Sequence, residues 1–98
     1  DLLCAPTMPV LPPRIGEETV ELNGETTLYR LTIIPYNSPW SLVGLPVLSV
    51  PCGFVDGMPI GMALIGWRFA ESQVFRAGHA YQQATDWHTR EPPLTSID

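Results

Sequence analysis

Eleven prolines among 98 residues set the limits on what this chain can fold into. They fall at positions 6, 9, 12, 13, 35, 39, 46, 51, 59, 92 and 93, and eight glycines add further interruptions. Proline fixes φ and removes a backbone donor, so it disfavours helix interiors and central strands. From Glu71 to Trp87 no proline intervenes. There Val74, Ala77 or Gly78, Tyr81, Ala84 and His88 recur at spacings of three and four, which predicts one long helix over 71–88. Glu71 in its first turn and His88 near its end suit the helix dipole, and His79 is expected half-buried on it.

The remainder reads as short pieces. Residues 1–16 form a strand end, Leu2 to Ala5, and a proline-rich loop lying extended across a surface. Residues 17–29 hold Thr19-Val20-Glu21-Leu22 and Glu25-Thr26-Thr27-Leu28 around Asn23-Gly24, a strong hairpin signal because both turn residues accept positive φ. Residues 30–46 are expected to be a helix broken by Pro35 and Pro39, with a short turn from Pro39 to Val43 closed by Gly44, followed by a loop. Residues 47–66 carry two buried strands, Val47 to Val50, ended by Pro51-Cys52-Gly53, and Ile60 to Ile65, with a tight turn at Asp56-Gly57. Gly61 and Gly66 bracket the second strand and mark a close approach by another backbone or a ligand. Residues 89–98 are a tail, frayed from Thr95 to Asp98. Residues 1–98 therefore read as a single unit. The chain starts at Asp1, in what looks like a strand entered midway, and is expected to be a fragment of a larger domain.

Charge narrows the function. The net charge is −5, no lysine is present, and all five cations are arginines, at positions 14, 30, 68, 76 and 90. Arginine clamps anions but does not serve as a general base, so chemistry needing a titrating amine is closed to these residues. Without a basic patch, nucleic acid is not an expected partner. No apolar run approaches the roughly 20 residues of a membrane span, so neither membrane nor secretory leader is expected, and the location is expected to be cytoplasmic. Cys4 and Cys52 are expected to be buried free thiols.

Local constellations yield no complete active site. Ser38, Ser41, Ser49, Ser72 and Ser96 lack a strained Gly-x-Ser-x-Gly turn. Nothing activates Cys4 or Cys52 beside His79 or His88, and the same four residues are too scattered for zinc. No glycine-rich loop opens a helix, so no phosphate cradle, metal or organic cofactor is expected. Glu17, Glu18, Glu21 and Glu25 read as charges around a solvated hairpin, and Arg30 and Arg68 as surface ion-pair partners.

Two longer segments are more specific: Pro39-Trp40-Ser41-Leu42-Val43-Gly44-Leu45-Pro46-Val47-Leu48-Ser49-Val50-Pro51-Cys52-Gly53, and Asp56-Gly57-Met58-Pro59-Ile60-Gly61-Met62-Ala63-Leu64-Ile65-Gly66. Together they resemble the C-terminal portion of the amidase signature family, with its G-x-P-x-x-S-x-P-x-G and G-x-P-x-G-x-x-x-x-G patterns. Leu3-Cys4-Ala5-Pro6-Thr7-Met8-Pro9 is similar to the family's strand ending in a proline-threonine loop. Trp87-His88 with Pro92-Pro93 is similar to its C-terminus.

The resemblance implies an α/β fold: a few strands of a mixed sheet, one long C-terminal helix and a loop-rich N-terminal half. It implies a parent hydrolysing a carboxamide C–N bond, by a Ser–cis-Ser–Lys triad carried on an upstream signature. Neither that signature nor a lysine occurs here, so the residues hold no catalytic group of the triad, and the chain alone is expected to be inactive. Its expected partners are the missing N-terminal portion and, for the full-length protein, a small-molecule amide. Tyr36, Asn37 and Trp40 are expected to border the acyl pocket. Where the family often has asparagine, three before Gly44, this chain has Ser41, and Leu31-Thr32-Ile33-Ile34-Pro35 lacks an acidic residue for a glutamine ammonium. The first departure implies either a local insertion, with Asn37 seven before Gly44, or a relaxed asparagine role; the second favours a plain amidase over the A subunit of a tRNA-dependent amidotransferase. Other classes are a stand-alone, non-catalytic binding module and a small Cys–His enzyme. Exposed strands are expected to drive homo-oligomerisation.

Overall fold

The computed structural model describes residues 1–94; the expected fraying of Thr95 to Asp98 lies outside them. In chain order the elements are β1 (Leu3–Pro6), β2 (Thr19–Leu22), β3 (Glu25–Leu28), α1 (Tyr29–Val43), β4 (Val47–Val55), β5 (Met58–Ile65) and α2 (Glu71–Ala84), then a single 3-10 turn, Trp87–Thr89. The fold is α/β. One sheet has the order β1-β5-β4, and β2-β3 form a separate ribbon. Every strand pairing among the described residues is antiparallel.

Both hairpins close on turns whose two central residues have positive φ. Asn23 and Gly24 stand at 53° and 82°, Asp56 and Gly57 at 51° and 77°, which matches the right-handed twist of the flanking strands. β5, the last of the described strands, occupies the middle of its sheet. Leu3 pairs with Ile65 on one side of it, and Val47 pairs with the same residue on the other.

α2 covers one face of the sheet. Leu48 opposite Leu64 and Val50 opposite Met62 share that face by register and alternation. Val50, Leu64 and Val74 form the core there, with Leu2, Leu48, Met62, Ala77 and Tyr81 packed around them. Two glycines let the layers meet. A Cβ on Gly78 would stand 2.5 Å from Leu48 Cδ2, and one on Gly66 would stand 2.6 Å from Val74 Cγ2.

Burial concentrates on the central strand, which corrects the expectation of two fully buried ones. Val47 is 42% exposed and Leu3 58%, while Ala63 and Ile65 on the central strand are buried. β4 also runs past its expected end, through Pro51 to Val55, with an irregularity between Pro51 and Gly53. Proline is tolerated there because β4 is an edge strand and Pro51 adjoins the bulge.

The expectation of a broken helix at 30–46 is corrected as well. α1 is continuous for 15 residues with Pro35 and Pro39 inside it. The two rings, four residues apart, fall with Leu31 on one exposed stripe, so the carbonyls of Leu31 and Pro35 that lose a donor lie on the open side. Gly44 follows at φ 73°, its N–H donating to the Ser41 carbonyl (3.3 Å) while the Leu45 N–H donates to that of Trp40 (3.0 Å). This Schellman arrangement satisfies two terminal carbonyls.

α2 is shorter than expected. It stops at Ala84, where the Thr85 hydroxyl donates back to the Tyr81 carbonyl (2.9 Å). His88 therefore sits in the 3-10 turn and not at the helix terminus, and His79 is exposed rather than half-buried. Both thiols are free, but Cys4 is exposed and Cys52 only half-buried.

Candidate functional site

The sheet face opposite α2 carries a hydroxyl pair that links three strands' worth of chain. Thr7, just beyond β1, continues the β1–β5 ladder through its N–H to the Gly61 carbonyl (3.1 Å). That places its side chain beside Ser49 of β4, and the two hydroxyls lie 3.0 Å apart, bridging across the central strand. Gly61 makes the bridge fit, since a Cβ there would stand 3.1 Å from both hydroxyl oxygens. Among the described residues, the close approach expected at Gly61 is by two side chains.

α1 supplies the adjoining wall. Asn37 Nδ2 donates to the Thr7 carbonyl (3.3 Å) and to the Ile33 carbonyl one turn back (3.1 Å), with Met8 Sδ 3.9 Å away. It ties the helix to the strap that follows β1. Trp40 Nε1 donates to the Tyr36 carbonyl (3.0 Å), which fixes the half-buried indole along the helix axis. Tyr36 itself lines an open cleft of about 520 Å³ between the β2–β3 hairpin and α1, with Leu22, Thr27 and Pro35. Asn37 and Tyr36 therefore serve different sides of the helix and share no single cavity wall.

Sequence reasoning misses Thr7 and Ser49 as a pair, because the signal for them is faint. Ser49 falls on the alternate face from Val50, which is legible, but its partner lies 42 residues away in sequence. Among the described residues, no group of three His, Cys, Asp or Glu side chains is placed to hold a metal ion. No helix among them is long and apolar enough to cross a membrane. What the site offers is hydroxyl and amide hydrogen bonding on the sheet face opposite α2, with no base among the described residues hydrogen-bonded to either hydroxyl.

A three-stranded antiparallel sheet backed by a helix, with a separate two-stranded ribbon, defines an α/β arrangement. The Amidase family profile matches residues 1–75, and the chain belongs to that family. Curated relatives include the A subunit of the glutamyl-tRNA(Gln) amidotransferase of Geobacillus thermodenitrificans (strain NG80-2), 45% identical over 94 residues. Its counterpart in Synechococcus sp. (strain JA-2-3B'a(2-13)) is 47% identical over 94 residues. Each alignment covers 96% of this chain but only 18% and 17% of the relative, so the chain spans less than a fifth of their length. Among solved structures, one described as "Crystal structure of amidase" superposes with a TM-score of 0.80 at 32% identity, over 86% of this chain and 19% of that one. Another, described as "An unexpected vestigial protein complex reveals the evolutionary origins of an s-triazine catabolic enzyme", gives 0.78 at 40% identity, over 86% of this chain and 19% of that one.

Proposed function

We propose that these residues are the C-terminal segment of an amidase that cleaves a carboxamide C–N bond, and that they scaffold the site without supplying its reacting groups. The observation that carries this is the family match over residues 1–75 in a chain with no lysine at all. In the family chemistry a serine hydroxyl adds to the amide carbonyl and its proton passes through a bridging serine and a lysine to the leaving amine. Water then releases the acid. Every one of those groups would come from sequence outside this chain. Within it, Trp40 and Asn37 border the acyl pocket, while Tyr36 faces the cleft beside the β2–β3 hairpin; Asn37, with its amide protons directed at two carbonyls, presents only its Oδ1 to a substrate. Free thiols at Cys4 and Cys52 agree with a cytoplasmic setting.

The test compares the 98-residue chain with the longer protein that carries it. The chain alone should release no ammonia from simple carboxamides, and the carrying protein should do so. Turnover by the isolated chain, with contaminants excluded, would end the proposal. In the carrying protein Trp40→Ala should raise KM more than it lowers kcat, since removing a pocket wall weakens ground-state and transition-state binding together. An unchanged KM would remove Trp40 from the pocket.

A second reading has its own support: the 45% and 47% identities are to amidotransferase A subunits. It predicts ammonia release from glutamine in preference to simple carboxamides, whereas the uncharged stretch Leu31 to Pro35 favours the plain amidase. Measuring both substrates side by side separates the two.

A further inference from the structure

All three polar groups of Thr7 are engaged, each by a different element. Its N–H donates to the Gly61 carbonyl of β5 (3.1 Å), and its hydroxyl pairs with that of Ser49 on β4 (3.0 Å). Its carbonyl accepts from Asn37 Nδ2 of α1 (3.3 Å). The chain bends at Thr7 as it leaves β1. Among the described residues, the backbone of 8–13 makes no hydrogen bond to other backbone, so Thr7 is the last point at which the ladder pins this strap to the sheet.

The consequence falls on Asn37. Its two amide protons are directed at the Thr7 carbonyl and at the Ile33 carbonyl, 3.1 Å away on its own helix. The Met8 sulfur of the same strap, 3.9 Å from Nδ2, is a weaker acceptor. Turning the amide over would set Oδ1 against two carbonyl oxygens and leave both of them without this donor. The orientation therefore holds for as long as the Thr7 carbonyl stays in place. The Ile33 bond belongs to the helix alone, whereas the Thr7 bond sets a direction from outside it.

The hydroxyl pair is suited to keeping that carbonyl in place. Threonine is stiff at χ1, so a bond from its side chain restrains the backbone that carries it. The ladder ties Thr7 to β5, and the Ser49 contact adds a second tie, to β4, on the far side of the central strand. Gly61 lies under the pair, where a Cβ would crowd both hydroxyl oxygens at 3.1 Å.

We propose, resting on the reading of Asn37 as a pocket residue, that Thr7 and Ser49 are positioning residues for substrate binding. They hold the Thr7 carbonyl against Asn37 and so keep Asn37 Oδ1 turned to the pocket, as an acceptor for an N–H of the amide substrate.

The test uses the longer protein that carries these residues, with propionamide or glutamine as the probe, whichever is turned over when the two are compared. Thr7→Val removes the hydroxyl and keeps the shape. It should raise KM about two- to tenfold, the weight of one neutral hydrogen bond, while kcat changes less than about twofold. Ser49→Ala cuts the same bond from the other side and should do likewise, and the double variant should be no worse than either alone. Thr7→Ser keeps the hydroxyl and should recover most of the loss. In an Asn37→Ala background Thr7→Val should raise KM no further, a result that general misfolding would not produce. If Asn37→Ala raises KM and Thr7→Val does not, the positioning role is overturned and the pocket reading stands. A fall in kcat alone, or an equal loss with and without Asn37, also overturns it, because Thr7 would then act on stability. If Asn37→Ala leaves KM unchanged, the pocket reading of Asn37 fails and this inference falls with it.

Discussion

At the scale of single residues, the two glycines between sheet and helix carry unequal burdens. Adding a methyl at Gly66 drives it into Val74 Cγ2 at 2.6 Å, with the Ala70 carbonyl at 3.5 Å. Val74 is β-branched and stiff at χ1, and it lies in the core, so it has nowhere to turn. Gly66→Ala is expected to cost about 1–3 kcal/mol, read from the urea midpoint. Gly78→Ala meets only the far end of Leu48, which can rotate, and it gains up to about 1 kcal/mol of helix propensity. Its net effect should be clearly the smaller, and an equal loss at both positions would refute this account. Gly61 and Gly66 are legible in the sequence as places of close approach, because a glycine inside an apolar strand has few other causes. What approaches them is not. Val74, Ser49 and Thr7 arrive from other elements, and no local pattern records their distance. Tyr36, Asn37 and Trp40 are legible as a cluster only through family resemblance, and the structure distributes them over different sides of one helix.

At the scale of elements, turns are more readable than lengths. Asn23-Gly24 and Asp56-Gly57 announce their hairpins because the required φ values are a property of those residues alone. The lengths of α1 and β4 are not announced, because proline's penalty depends on whether the lost donor mattered. On α1 both prolines lie on the exposed stripe, and on β4 Pro51 lies on an edge. The penalty is reduced there and not abolished. Pro39→Ala should therefore restore a helical hydrogen bond to the Pro35 carbonyl and raise the melting temperature, with a stability gain below the roughly 3 kcal/mol cost of a fully interior proline. A fall in melting temperature would show that the ring is needed for packing. The end of α2 escapes the sequence for a related reason: the periodicity continues to His88, but the Thr85 hydroxyl takes the Tyr81 carbonyl first.

For the whole molecule, surface is the dominant quantity. The chain exposes 7620 Å², against about 5,500 Å² for a compact monomer of this mass. Its radius of gyration is 15.5 Å, where about 13 Å is usual for this length. Leu42, Trp67, Phe69 and Phe75 are all more than half exposed. Surface of this kind favours association, so the isolated chain at tens of micromolar (on the order of concentrations at which such edges pair) should sediment as more than a monomer. A single monomeric boundary would contradict that. The central place of β5 has a further consequence, for the order of events during synthesis. β1 leaves the ribosome well ahead of β5, the strand it pairs with, which ends at Ile65. The β4–β5 hairpin closes locally, on a scale of about 1–10 µs, whereas β1 must wait, unprotected, until translation has passed Ile65. Pulse-labelled amide exchange should find Leu3 and Ala5, whose N–H groups face β5, protected later than Val50 and Met62.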